Sequence, residues 1–437
     1  MYIYRIWRRI SGLNEIVLAV LLCNAVEHYD FIIFGILSST INKVFFAQGV
    51  LPSSQGSHAA YLSELIGFLV FASAFVARPL GAAVFGYLGD RKGRKIVLNI
   101  SASMLIGSVL CMAVLPTPLT WGIFSPLVLT ILRVVQGLAY GAEIGGVVLM
   151  AESADSSKVR VIWVCRIAFC NLGLFLGTFV VRVCETLFTE LQMYEWGWRI
   201  PFLVAVVIGL PLPYLRSKIR ESRDYVEYKS TGSRTNIFES LVENIGAVLL
   251  VFVMAATSSG FFYLATIYID LSHRLSYPEY VVSLLLASLA SCLSLFASDA
   301  SKRRGYFLVM MACIIVSLYP VVYFIYKGSV IACTAFFIMC GAYVGWYGSF
   351  IALIFPVGCR QTCFSLPYGA GYLAGALSPA ICLWFSHATG LSTAPAFYLI
   401  FFATIVSLMV AFCLRVENGV YRFVSPMRKK TESSLAS

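Results

Sequence analysis

Charge is what this sequence has least of. Of 437 residues only 12% are Asp, Glu, Lys or Arg, against 59% hydrophobic, and the mean hydropathy is +0.85. A soluble fold could not present that balance to water, so the composition points to a polytopic membrane protein. Histidine is scarce, with four in the chain, and no Cys-x-x-Cys pair or Cys beside His occurs. That argues against a zinc centre or a thiol redox site. The thirteen cysteines include Cys23, Cys111, Cys165, Cys170, Cys313, Cys333 and Cys340 inside apolar runs, and they read as small core residues rather than a disulfide framework. No Ser/His/Asp, metal-ligand or phosphate-loop pattern stands out, which argues against an enzyme and against a resident cofactor or metal. Acids are fewer than bases, 21 against 32, for a net charge of +11. Nucleic acid is nevertheless not the expected partner, because the bases cluster in short loops beside apolar spans, where orientation in the bilayer explains them. A cleavable signal is also missing. Arg5, Arg8 and Arg9 precede a span carrying Glu27 and Asp30 with no small-residue cleavage site after it, so the first helix is expected to stay.

What the sequence does have is long apolar runs. A hydrocarbon core of about 30 Å needs roughly 20 such residues per helix. Twelve spans follow: 15 to 42, 60 to 88, 95 to 115, 121 to 150, 160 to 187, 199 to 216, 243 to 270, 279 to 298, 306 to 326, 330 to 355, 362 to 387 and 393 to 414. Twenty-four of the 32 lysines and arginines fall in alternate segments, from the start of the chain to its tail, and this predicts both termini in the cytoplasm. The opposite loop at 185 to 198 carries Glu185, Glu190 and Glu195 instead. The longest polar stretch runs from Arg216 to Thr235 and divides the chain into an N-terminal half (1–216), a linker (217–240), a C-terminal half (241–415) and a short tail (416–437). Ser298-Asp299-Ala-Ser-Lys302-Arg303-Arg304-Gly305 follows the eighth span as a faint echo of the charged loop after the second. The expected fold class is an all-α membrane protein of two six-helix halves, with its site at the midplane between them.

Ionisable residues inside these spans are the candidate site. Glu27, His28 and Asp30 lie near mid-bilayer in the first span, where charge is costly and usually faces a cavity. Glu27 and Asp30 are three apart and share a face; His28 points away and reads as a packing residue. A carboxylate there either contacts substrate or carries a proton, or one of the pair merely partners a nearby arginine. In the fourth span Arg133, Gln136, Tyr140 and Glu143 form one polar stripe, while Gly137, Gly141 and Gly145 form a separate packing stripe. Arg133 and Glu143 are about 15 Å apart along the axis and cannot pair. Arg166 in the fifth span is a cation for a substrate carboxylate, for neutralising Glu27 or Asp30, or for lipid headgroups. Tyr263 and Tyr372 are aromatic candidates for a cationic solute, and Pro356 and Pro379 read as helix kinks.

The most particular stretch is Gly86-Tyr-Leu-Gly-Asp90-Arg91-Lys-Gly93-Arg94-Lys95, a charged turn between two apolar spans, preceded by Arg78-Pro79-Leu80-Gly81. It resembles the loop after the second helix in major facilitator transporters, and the combination resembles their metabolite:proton symporters, which include proline/betaine, 2-oxoglutarate, citrate and shikimate carriers. Cys23-Asn24-Ala-Val-Glu27-His28-Tyr29-Asp30-Phe31 is similar to the first helix of that branch, with His28 in place of an aromatic. Arg133-Val-Val-Gln-Gly137-x-x-x-Gly141-x-Glu143-x-Gly-Gly resembles its fourth helix, with Ala142 where glycine is usual. Phe261-Phe262-Tyr263, Phe355-Pro356-x-x-x-Arg360 and Tyr368-x-x-x-Tyr372-x-x-Gly375-Ala-x-x-Pro379 extend the likeness over nearly the whole chain. The Gly-Pro-x-x-Gly-Gly that drug:proton antiporters carry in the fifth helix is absent.

The resemblance implies a monomeric carrier in the inner membrane of a bacterium, embedded in lipid. It implies symport of a small polar metabolite with H⁺, Glu27, Tyr29, Asp30, Arg133, Gln136, Glu143, Arg166, Tyr263 and Tyr372 serving substrate and proton. It also implies a cytoplasmic latch built on Gly86, Asp90, Arg91, Gly93 and Arg94, with Asp90 facing the helix start near Arg360 and Arg94 facing Glu152 or Asp155. Uniport or exchange of the same solutes, and a non-transporting receptor of the same fold, remain as alternatives.

Overall fold

A chain in lipid has to satisfy its backbone polar groups internally, and helices do this within one segment. A computed structural model describes residues 15–47, 57–153, 159–217, 221–232, 235–269, 274–296, 300–351, 354–417 and 420–423. The first long helices are α1 (Glu15–Ile36), α2 (Ser57–Lys92), α3 (Arg94–Ala113), α4 (Phe124–Ser153), α5 (Val159–Leu187) and α6 (Arg199–Gly209, carried on by Pro211–Ser217). They are followed by α7 (Ile245–Tyr263), α8 (Tyr277–Ser291), α9 (Ala300–Tyr326), α10 (Val330–Ile351), α11 (Arg360–Ala376, carried on by Ser378–Thr389) and α12 (Ala394–Phe412). Among the described residues, eleven helices are long and apolar enough to cross a membrane. α2 is longer still, at 36 residues, and ends in Arg91 and Lys92. A two-stranded antiparallel hairpin, β1 (Leu414–Glu417) with β2 (Val420–Phe423), follows α12.

Three expectations about the connections change. The charged turn at 86–95 is mostly helix: Gly86, Asp90 and Arg91 are the last turns of α2, and the reversal rests on Gly93, whose φ of 112° lies where side-chain-bearing residues rarely go. Pro356 kinks no helix interior, whereas Pro379 stands where α11 is interrupted at Leu377. Pro356 precedes α11, and Pro379 opens the Ser378–Thr389 segment, where its missing N–H is no loss. Pro79, Pro320 and Pro367 lie within the interiors of unbroken helices. The polar stretch between α6 and α7 folds into two short helices, Arg223–Ser230 capped by the Ser222 hydroxyl and Ile237–Glu243 capped by the Asn236 carbonyl.

The chain forms two compact units, one of Met1–Met150 with Ala168–Glu221 and one of Ala151–Ile167 with Ser222–Ser437. Each is held by glycines that bring helix backbones together. In the first unit a β-carbon on Gly137 or Gly141 of α4 would strike the Ala74 and Arg78 carbonyls of α2, and Gly173 of α5 sits on the Ala25 carbonyl of α1. In the second unit Gly341 and Gly345 of α10 sit on the Ala287 and Ser291 backbone of α8, and Gly371 of α11 on the Phe252 carbonyl of α7. The pairs α2–α4 and α1–α5 therefore recur six helices later as α8–α10 and α7–α11. The glycine of the sequence echo, Gly305, has open space around it, while Asp299 lies outside the described residues.

Candidate functional site

Placing Asp30 on the face of α1 that meets α4 brings it to the α4 polar stripe. Asp30 is fully buried, and its two oxygens accept from the Tyr140 hydroxyl and, at 3.4 Å, from the Gln136 amide. Gln136 in turn accepts from Arg133 Nη1 at 2.7 Å, so one amide bridges the guanidinium and the carboxylate. The Arg133 guanidinium lies over the Phe34 ring, 3.8 Å from its centroid. Asp30, Gln136 and Arg133 all have no exposed surface, and an ionised group this deep requires such partners. Glu27, one turn away, accepts from Arg78 Nη2 at 3.2 Å, and the same guanidinium reaches the Tyr140 ring at 5.8 Å. Two carboxylates and two guanidiniums thus share the interior of the first unit. Tyr29 is not in this group; its hydroxyl donates to the Pro201 carbonyl of α6 at 3.0 Å. The His28 ring stays local, 2.8 Å from the Asn24 carbonyl.

The second unit has an aromatic interior. Tyr343 and Tyr347 stack at 5.3 Å on α10, and Tyr368 and Tyr372 stack at 4.9 Å on α11. The Tyr347 and Tyr368 hydroxyls are 3.0 Å apart, and Tyr368 donates to Tyr372 at 3.3 Å. Trp163 meets Tyr347 edge to face at 5.5 Å, and Arg166 lies over its indole at 5.2 Å. Arg166 is buried, so it is no headgroup anchor. Tyr263, buried, packs on Phe262.

The family model described as sugar (and other) transporter matches residues 16–237. The chain belongs to that family of major facilitator transporters. It is therefore a multi-pass membrane transporter and not an enzyme. It is 30% identical over 411 residues to the inner membrane metabolite transport protein YhjE of Escherichia coli (strain K12), covering 87% of this chain and 90% of that one. It is 27% identical over 427 residues to the proline/betaine transporter of the same organism, covering 90% and 82%. The structure of the Escherichia coli proton:xylose symporter XylE shares the fold, with a TM-score of 0.74, 15% identity and coverage of 91% of this chain and 95% of that one.

Within this transporter, Glu143 stands apart from the Asp30 group. Both its oxygens accept from Arg216, at 2.8 and 2.6 Å, and Ser101 donates to it at 2.9 Å. Arg216 also donates to the Leu98 carbonyl at 2.6 Å, so the last basic residue of α6 is drawn inside rather than left in a loop. At the other end of the α2–α3 connection Asp90 and Arg94 pair at 3.5 Å with no exposed side-chain surface. Arg91 is exposed, against the Tyr87 ring. Glu152 accepts from Arg360 at 3.0 Å and from Ser222, and Asp224 also reaches Arg360, at 3.4 Å. Asp155 lies outside the described residues. Arg78, Arg216 and Tyr368 stand in motifs or stretches noted in the sequence but not as site residues, and Trp163 and Tyr347 carry no such mark. The proline motif around Arg78 and the three-residue spacing of Trp163 and Arg166 were the available signals.

Proposed function

We propose that this chain is a proton-coupled symporter of a small, carboxylate-bearing polar metabolite, proline- or betaine-like or a di- or tricarboxylate, working by alternating access. In this reading it lies in a bacterial inner membrane with both termini in the cytoplasm. The observation that carries the reading is Asp30, fully buried and bridged through Gln136 to Arg133. With Asp30 and Glu27 ionised, Arg133 and Arg78 are balanced. A proton on Asp30 turns an acceptor into a donor, so its contact with Tyr140 has to reorganise, and one buried positive charge is left without its counter-charge. Such a charge costs several kcal/mol, and a substrate carboxylate supplies the missing counter-charge. Proton and anionic group then enter together and leave together. Relatives that by name carry metabolites, proline and betaine, and a fold shared with a proton symporter, agree with this account.

The test is uptake into proteoliposomes of labelled proline, glycine betaine and citrate, with and without an inward proton gradient. Gradient-driven accumulation of one of them is expected, and Asp30→Asn is expected to abolish accumulation while leaving solute exchange. Accumulation that persists when the gradient is collapsed, or in the Asp30→Asn protein, overturns the reading; so does a folded protein that moves none of the three.

A further inference from the structure

Trp163 lies within the Val159–Ile167 stretch of α5, which belongs to the second unit together with α10. Its indole is gripped from several directions. Nε1 donates to the Val344 carbonyl at 2.7 Å, Tyr347 meets the ring edge on, and Arg166 lies over it. Gly348 closes the remaining side: a β-carbon there would overlap the fused ring atoms of the indole. The side chain is 3% exposed. A large ring held in a notch that only glycine can form is either seated or out, because packed interiors do not deform by small steps. Arg166, which lies over the ring from its own helix, is a buried cation of the same unit.

We propose that Trp163 is a gating residue, a plug that fastens the start of α5 to α10 in the Gly348 notch, and that Arg166 is the group through which an anionic solute unseats it. A carboxylate that draws the guanidinium away takes one of the contacts off the indole and frees α10 to part from α5. The role given to Arg166 rests on the transport reading above; the seating of Trp163 does not.

The experiment needs no solute, so its failure is separate from a failure of the transport reading. The full chain in lipid nanodiscs, with both faces in water, is treated with a maleimide. Modification of Cys165, partly buried two residues along α5, is followed by peptide mass spectrometry. Gly348→Ala is expected to raise the Cys165 rate by about tenfold, the effect of moving the seated–unseated balance by ~1.4 kcal/mol. Arg166→Gln is expected to raise it similarly, and the double variant no further, since both act on one plug. Should Gly348→Ala not fold, Trp163→Phe, which keeps a ring but loses the bond to Val344, carries the test with a smaller rise. A wild-type rate in folded Gly348→Ala or in Trp163→Phe overturns the plug. A wild-type rate in Arg166→Gln beside a raised rate in Gly348→Ala overturns the role of Arg166, as does a double variant whose effects multiply.

Discussion

Glu143 shows how far a single residue can be read from its spacing. Its place on the α4 stripe suggested a share in the chemistry of Arg133, and the distance along the helix excluded a direct pair with that arginine. What spacing cannot show is the partner from another helix. Arg216 lies 73 positions away and was legible only as one more base of a polar linker, yet it is buried and grips Glu143 with both terminal nitrogens. Removing one member of a buried pair strands the other charge, so Arg216→Ala is expected to lower stability by about 3–5 kcal/mol. Arg216→Met with Glu143→Leu, which removes both charges, is expected to recover most of that loss. Thermal unfolding in detergent checks this, and an unaltered midpoint for Arg216→Ala would show that the pair contributes nothing. Asp30, Gln136, Arg133 and Tyr140 were legible because polar residues are conspicuous in an apolar span. Trp163, Tyr347 and Tyr368 were not, because aromatics make up 14% of the chain and one ring looks like another until its neighbours are known.

At the scale of elements, glycine spacing carried more than hydropathy did. The stripe at Gly137 and Gly141 was read as packing, and both residues lie on the backbone of α2. The equivalent pair Gly341 and Gly345 on α10 packs on α8 in the same way, a repeat that the eroded charged loop after α8 concealed. Helix ends were harder to read. The 86–95 stretch looked like a loop because it is charged, but its charges pair on helical turns, Asp90 with Arg94, and only Gly93 needs a special backbone angle. A β-carbon at Gly141 would meet both the Arg78 carbonyl and the Ala82 amide, neither of which can move without shifting a helix. Gly141→Ala is therefore expected to cost about 1–3 kcal/mol. Gly107→Ala, a helical position with nothing within 4 Å of the new methyl, is expected to be neutral or to stabilise by about 0.4–1 kcal/mol. Equal melting of the two variants would show that the close helix approach has been misjudged.

At the scale of the whole molecule, what remains to be measured is which way the chain threads the membrane. The alternation of basic segments predicts both termini in the cytoplasm, but the count mixes two kinds of residue. Arg94, Arg216 and Arg360 are buried and bonded to Asp90, Glu143 and Glu152. Acids weigh little in that bias, which is not a net-charge rule, but a base that a buried acid requires is present for a reason other than orientation. Removing those three still leaves 21 of the remaining 29 bases in the alternate segments, among them Arg91, Lys92 and Lys95 beside α2. The bias therefore does not depend on the structural pairs. A fluorescent protein fused after Ser437 is expected to mature, and alkaline phosphatase fused there to stay inactive. A second fusion in the 185–198 loop, where Glu185, Glu190 and Glu195 replace bases, is expected to give the opposite result. Like activity at both points would mean an even number of crossings between them. The opposite pattern at both would invert the transporter and, with it, the side from which the proposed mechanism protonates Asp30.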